Sequence, residues 1–337
     1  MPVWSCALPT PEPPSPRVLR VVERVWGRMR ANPAMAGPTL SRALREERSL
    51  GSKERPVAGD VLTGLIRHER ALARLDADPL TAWMRLCQEG IPDLEDPPEA
   101  FAIAVSAPDA LAAEWWDRLG PDAAIAFART LAGRAPVWLR ALDPEADVPV
   151  PHTRQGAAIR LDGRANVNVF PDFQNGRLEV QDLGSQRIAE AAFLGPGCRV
   201  LDLCAGAGGK SLTLAALGAR VTAWDVRRAA LHELADRARR ARLTIEIAEP
   251  RGSYDVVLVD APCSGTGVLR RHPENRWKLR FPVETQRELL ARARRMGGRV
   301  VYATCSLARR ENEEVGGEGS TLWPEPGGSE GYFWSVS

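Results

Sequence analysis

Between residues 198 and 304 the chain repeats one pattern, a short apolar run followed by a stretch with helical spacing. The runs are "RVLDL", "RVTAWD", "LTIEIA", "YDVVLVDA" and "RVVYAT". Strands that read as continuous apolar segments are buried on both faces, and intervening helices supply the cover. This alternation restricts the region to an α/β fold, a parallel sheet between layers of helices. Such sheets bind ligands outside the carboxyl ends of their strands. The residues that end these runs are therefore the candidates for chemistry.

At 337 residues the chain is long enough for two or three domains. After an irregular proline-rich start over residues 1–15, Ser15-Pro16 reads as a helix start, a capping serine before proline at the first helical position. Val18, Val22, Val25 and Met29 follow at helical spacing. "TLSRALREERSL", "VAGDVLTGLIRHERALARL", "DPLTAWMRL", "APDALAAEWWDRLG" and "PDAAIAFARTLAG" continue the pattern, predicting an all-helical domain over 16–133. The texture then changes: "APVWLRAL", "AAIRLDG" and "NVNVF" are short and β-rich, predicting a small β-containing insert over 134–180. The α/β domain takes 181–337.

Composition excludes several classes. A hydrophobic fraction of 44% and a charged fraction of 26% belong to a globular protein with a sizeable core. No run approaches the ~18 apolar residues of a membrane span. The amino terminus lacks a basic segment followed by an apolar one, so no secretory signal is expected. Six cysteines in so long a chain do not make a disulfide framework, which points to reduced thiols in the cytoplasm. No metal site and no protein partner are implied. The net charge of +2 decides little. The arginines of "RRAALHELADRARRAR" and "LRRHPENRWKLR" permit a polyanion partner, and a solvated helix face explains the first of them equally well.

"LDLCAGAGGKS" puts a glycine-rich turn between a strand and a helix, bringing backbone N–H groups and a helix start close to a ligand. A dinucleotide fingerprint would need its third glycine at Ser211, and a phosphate loop would need glycine at Cys204. The strand ending in Asp260 does resemble the metal-binding strand of a nucleotidase, but the missing glycine removes that reading. S-adenosylmethionine remains. Its methionine part lies over such a turn, here Cys204, Ala205, Gly206, Ala207, Gly208, Gly209 and Lys210. Its ribose hydroxyls want a carboxylate at the end of the second strand, which Asp225 supplies.

"VQDLGSQ", "LDLCAGAGGK", "VDAPCSGTGVLRRHPENRWK" and "YATCSLARRENEE" resemble the successive motifs of Sun-type (Fmu-like) RNA cytosine-5 methyltransferases, continuously over residues 180–315. The helical start and "RAPVWLR" more loosely resemble the amino-terminal extension and RNA-binding insert of the ribosomal RNA members. The resemblance implies a Rossmann-like methyltransferase sheet and methyl transfer to carbon 5 of cytosine in RNA, most readily ribosomal RNA. It also implies roles for two thiols. Carbon 5 of cytosine is a poor nucleophile until something adds to carbon 6, and a thiolate is suited to that addition. Cys305 is the implied nucleophile, Cys263 assists release of the covalent adduct, and Asp260 bonds the polar edge of the flipped base. Cys87 and Cys198 read as small buried hydrophobes, Cys204 as structural in the turn, and Cys6 as without a role.

The pattern departs from the family at Ala207, in an abbreviated insert between Arg140 and Val180, and after Cys305. Ala207 stands where proline is usual, and Glu249 in "IEIAEPRG" is the carboxylate offered for the adenine side of the cofactor. About ten residues separate the Cys305 motif from "TLWPEPGGSEGYFWSV", too few for a parallel crossover, which predicts a bare hairpin at the end. A catalytically weak RNA-binding relative is the rival to the enzyme.

Overall fold

The computed structural model describes residues 14–75, 77–89 and 97–337. Most of the irregular start, Cys6 included, lies outside them. The chain divides into two compact units, one built from residues up to Arg134 together with Val268–Leu279, the other from Ala135–Gly267 and Arg280–Ser337.

In the first unit the described residues from Pro16 to Ala132 form helices joined by short links. The Ser15 side chain accepts the Val18 N–H at 3.3 Å and Pro16 opens the first helix, Pro16–Ala31, as the capping pattern requires. Val18, Val22, Val25 and Met29 are buried on one stripe. The helix Pro97–Ala104 escaped the sequence reading because "AFAIA" is apolar all round and shows no period.

The segment 268–279 corrects the expectation for its arginines. Arg270 is buried, and the Arg276 guanidinium donates to the Val105 carbonyl at 3.1 Å. Trp277 packs on Trp26 with ring centroids 5.5 Å apart, and its indole N–H donates to Glu69. Burial, with the Arg67 charge nearby, lowers the Arg276 pKa to about 9 against the opposing pull of Glu69 and Glu274. Two of the arginines read as available to a polyanion are thus committed to interior contacts of this unit.

The second unit carries two sheets. The smaller is antiparallel in the order β2-β3-β1-β4, from β1 (Trp138–Ala141), β2 (His152–Gln155), β3 (Ala158–Leu161) and β4 (Leu178–Val180). "NVNVF" is not a strand but a 3₁₀ turn, Val167–Val169. The Asn166 side chain accepts the Asn168 N–H at 3.3 Å, a local bond that competes with strand pairing.

The larger sheet has seven strands: β5 (Arg199–Asp202), β6 (Arg220–Ala223), β7 (Ile245–Ile247), β8 (Val256–Asp260), β9 (Arg299–Thr304), β10 (Ser320–Leu322) and β11 (Tyr332–Val336). Its order is β10-β11-β9-β8-β5-β6-β7, and the pairs from β9 to β7 are parallel. Helices Leu183–Ala191 and Gly209–Ala216 cover one face through Ile188 and Leu214 against Val200, Val256 and Val301. Helix Val283–Arg294 covers the other through Leu290 and Ala293 against Val257, Val259 and Val300. The chain runs outward from β5 to β7, then returns to β8 on the other side of β5. The crevice of such a sheet lies where this order switches, between β5 and β8.

Two connections are unusually short. From β7 the chain reaches β8 in eight residues without a helix, although β6 and β5 lie between them. An extended link of that length reaches about 26–29 Å, more than three strand spacings of ~4.8 Å, so an almost direct path suffices. At the other end the expected bare hairpin needs correction. Residues 305–319 hold a 3₁₀ turn, Arg309–Glu311, and one helical turn, Glu313–Gly316. They carry the chain past β9, and β10 then runs parallel to β9 with antiparallel β11 between them. The residues of the Cys305 motif supply the length that the shorter count lacked.

Candidate active site

The glycine turn follows β5. Gly206 and Gly208 take φ of +54° and +87°, conformations that side chains resist. A Cβ on Gly208 would also meet Leu234 at 2.5 Å, so this turn can lie close to the helix Arg228–Ala241 only as glycine.

Asp225, just beyond β6, is 5% exposed and joins the turn through the Gly206 N–H, donated to Oδ2 at 2.8 Å. Arg227 supplies the other donors: its N–H at 2.8 Å, Nε at 3.0 Å and Nη2 at 3.0 Å. Although burial opposes ionisation, the Arg227 and Gly206 hydrogen bonds hold the Asp225 carboxyl below its ordinary range. Val226 beside it is 75% exposed, an apolar side chain facing outward at the ligand-binding edge.

Lys210, in the first turn of helix Gly209–Ala216, is buried with its ammonium 2.5 Å from Asp260 Oδ2 at the end of β8. Burial works against its charge, but Asp260 outweighs it and raises the Lys210 pKa, with smaller contributions from Asp202 and Cys305. Asp202, sealed beneath the turn, accepts the Ser211 hydroxyl at 2.6 Å, and burial pushes its pKa up to about 6.

Cys263 and Cys305 follow β8 and β9, which are adjacent and parallel, and their Sγ atoms lie 3.4 Å apart. The Cys305 sulfur and burial push the Cys263 thiol well above its ordinary range. A buried polar network fixes the two loops on each other. Glu311 accepts the Ser264 N–H at 2.9 Å and the Gln286 amide at 3.0 Å, and Gln286 also donates to the Pro262 carbonyl at 2.9 Å. The Asn312 side chain accepts the Thr304 hydroxyl at 2.6 Å and donates to the Ser306 carbonyl at 2.9 Å. Gly267 allows the closest approach, since a Cβ there would meet the Gly331 carbonyl oxygen at 2.2 Å.

The sequence-derived candidates thus divide. The structure links Gly206 to Asp225, Lys210 to Asp260, and Cys263 to Cys305. Ala205 is buried in the turn, its N–H bonded to the Trp224 carbonyl at 3.0 Å, and the Ala207 carbonyl accepts Arg237 at 2.7 Å. Cys204 packs against the sheet core, and burial raises its thiol pKa far beyond use. Cys87 is likewise buried, with a thiol pushed up to about 11, and Cys198 packs against the core.

Among the described residues no hydrogen bond or ion pair joins Glu249 to the turn. Glu249 lines a cleft of about 660 Å³ with Arg199 and Arg220, residues that begin β5 and β6 rather than end them. The short link to β8 is the physical reason, because it draws the chain toward the strand starts at once. Sequence reasoning missed Arg227, Gln286, Glu311 and Asn312. The last two lie in the quoted "ARRENEE", but nothing in that run distinguishes Glu311 from Glu313 and Glu314.

Fold and sheet order together are those of a Rossmann-like methyltransferase domain. Comparison with known proteins narrows this class. Residues 194–318 match the family model described as 16S rRNA methyltransferase RsmB/F. Ribosomal RNA small subunit methyltransferase B of Citrobacter koseri is 35% identical over 199 residues, covering 52% of this chain and 46% of the relative. The enzyme of that name from Salmonella arizonae is 36% identical over 197 residues, with the same coverage. The chain thus spans about half the length of the curated relatives it matches. The crystal structure of PH0851 superposes with a TM-score of 0.73 at 20% identity, covering 97% of this chain and 99% of that one. A methyltransferase homologue from Pyrococcus horikoshii reaches 0.61 at 21% identity, covering 72% and 99%. These two show the fold. Over residues 194–318 the chain is thus similar to the RsmB/F family.

Proposed function

We propose that the protein transfers a methyl group from S-adenosylmethionine to carbon 5 of cytosine in RNA, through a covalent bond between Cys305 and the base. Ribosomal RNA of the small subunit, modified in the cytoplasm, is the substrate class that the names of its relatives support. The single observation that carries the reading is the pair of thiols 3.4 Å apart at the ends of adjacent strands. A structural role would not need two half-buried sulfurs at the ligand-binding edge of the sheet.

The residues fit the cofactor. Asp225 is a carboxylate that accepts hydroxyls, tied to a turn free of side chains, and exposed Val226 beside it offers an apolar surface to a flat base. When bound, the cofactor supplies an electrophilic methyl group. The chain's own residues do the rest. The Cys305 sulfur adds to carbon 6 and makes carbon 5 nucleophilic. Asp260 accepts from the exocyclic amine of the base, and the Lys210 ammonium stabilises negative charge that builds on the ring. In the elimination the carbon 5 proton passes to solvent water, the carbon 6–sulfur bond breaks and Cys305 leaves as the thiolate, a step assisted by Cys263 lying against it.

Incubation with tritiated-methyl cofactor and unmodified small-subunit ribosomal RNA tests this. Label mapped to 5-methylcytosine, and lost in Cys305→Ala, supports the reading; no transfer to any RNA, with binding retained, favours the weak relative. The eight-residue link from β7 to β8, which omits a covering helix, is the one feature on that side.

A further inference from the structure

Two thiols in contact cannot both ionise readily, because a thiolate opposes a second negative charge beside it. The surroundings of the two are unequal. Glu311 is fully buried, and its donors are neutral: the Ser264 N–H, the Ser264 hydroxyl and the Gln286 amide. Gln286 reaches both Glu311 and the Pro262 carbonyl, so the carboxylate and the amide bracket Cys263 from the residues on either side of it. A buried carboxylate without a cation exerts its charge over several ångströms, since little water screens it. On the other side Lys210 lies within electrostatic reach of Cys305.

We propose that Glu311 is a positioning residue that sorts the two thiols: its carboxylate, clamped to the Cys263 loop, keeps Cys263 in the proton-bearing form, so that the attack falls to Cys305. The groups that face Cys263 are Cys305, Glu311 and Tyr302, and the Glu311 charge acts on it in the stated direction. Tyr302 donates its hydroxyl to the Glu311 carbonyl at 2.6 Å, which holds the backbone and leaves the carboxylate to Ser264 and Gln286. Cys263, Tyr332 and Lys210 interact with Cys305. The catalytic consequence of this sorting rests on the methyl-transfer reading; the sorting itself does not.

The test is iodoacetamide alkylation of the full chain across the neutral to alkaline range, with each cysteine peptide followed by mass spectrometry and no RNA or cofactor present. In the wild type Cys305 is alkylated at lower pH than Cys263. In Glu311→Gln, which keeps the hydrogen-bonding shape and loses the charge, the Cys263 profile moves to lower pH and by more than the Cys305 profile moves. Glu311→Asp, which keeps the charge and alters the clamp, leaves the Cys263 profile close to wild type. A Cys263 profile unchanged in Glu311→Gln overturns the proposal, as does an equal shift in Glu311→Asp, which would make the effect one of packing. Failure of the methyl-transfer reading shows separately, as absence of methylated RNA from a protein whose alkylation profiles still differ.

Discussion

Arg237 donates to the buried carboxylate of Glu179 at 2.9 Å, 58 residues away, and the same guanidinium donates to the Ala207 carbonyl at 2.7 Å. One side chain therefore ties the last strand of the small sheet to the glycine turn. Arg240 pairs with the other Glu179 oxygen and packs its guanidinium 4.7 Å from the Phe173 ring. Removing the shared carboxylate leaves two partly buried arginines without it. Glu179→Ala is expected to lower stability by about 3 kcal/mol, as for a broken buried ion pair, and to weaken cofactor binding with it. Urea melts monitored by tryptophan fluorescence measure the first effect, and an unchanged midpoint would remove Glu179 from the framework.

Asp225 and Arg227 make opposite predictions for the cofactor. Asp225→Ala removes the acceptor and is expected to weaken S-adenosylmethionine binding by about 1.5–3 kcal/mol, the worth of charged hydrogen bonds. Arg227 forks onto the same carboxylate from a largely exposed position, so the ribose must displace it. Arg227→Gln should tighten binding by the small value of an exposed ion pair, about 0.2–1 kcal/mol. Calorimetry on both variants decides, and weaker binding by Arg227→Gln would make the arginine a cofactor ligand instead.

The division of labour between the sulfurs appears on a denaturing gel. Cys263→Ala is expected to accumulate protein joined covalently to RNA, a slow band that ribonuclease removes, because attack proceeds and release does not. Cys305→Ala should give no band and no methyl transfer, yet bind cofactor normally. The double variant should also lack the band. The reverse pattern, a band from Cys305→Ala alone, would exchange the two roles.

Asp202 predicts a pH dependence. Its pKa is about 6 in the folded protein, raised by burial above the ordinary aspartate value. Below about pH 4 it is protonated in folded and unfolded chains alike. As pH rises, the unfolded chain loses the proton first, so this contribution to stability is lost as pH passes through the folded value. Asp202→Asn, which keeps an acceptor for Ser211, should match wild type near pH 4 and exceed it at neutral pH by at most about 3 kcal/mol. Denaturant melts at the two pH values check it; a variant less stable at neutral pH would show that the charge is needed.

The α/β class, the order of its strands along the chain, the glycine turn, Asp225 and both thiols were legible in the sequence because each depends on local pattern. A buried strand is apolar along its length, a tight turn needs glycine, and chemistry sits where strands end. The helical unit was legible for the same reason, except at Pro97–Ala104, where an apolar run without period hides its own structure. Relations across space were not legible. No local signal selects Glu311 over Glu313, or pairs Glu179 with Arg237, because their partners are set by which strands become neighbours. Arginines 270 and 276 read as a basic surface since composition reports charge, whereas burial against Val105 and Trp277's neighbours is a property of packing. Glu249 was offered for its place in the chain, whereas its surroundings, a cleft shared with the first residues of β5 and β6, follow from the eight-residue link to β8.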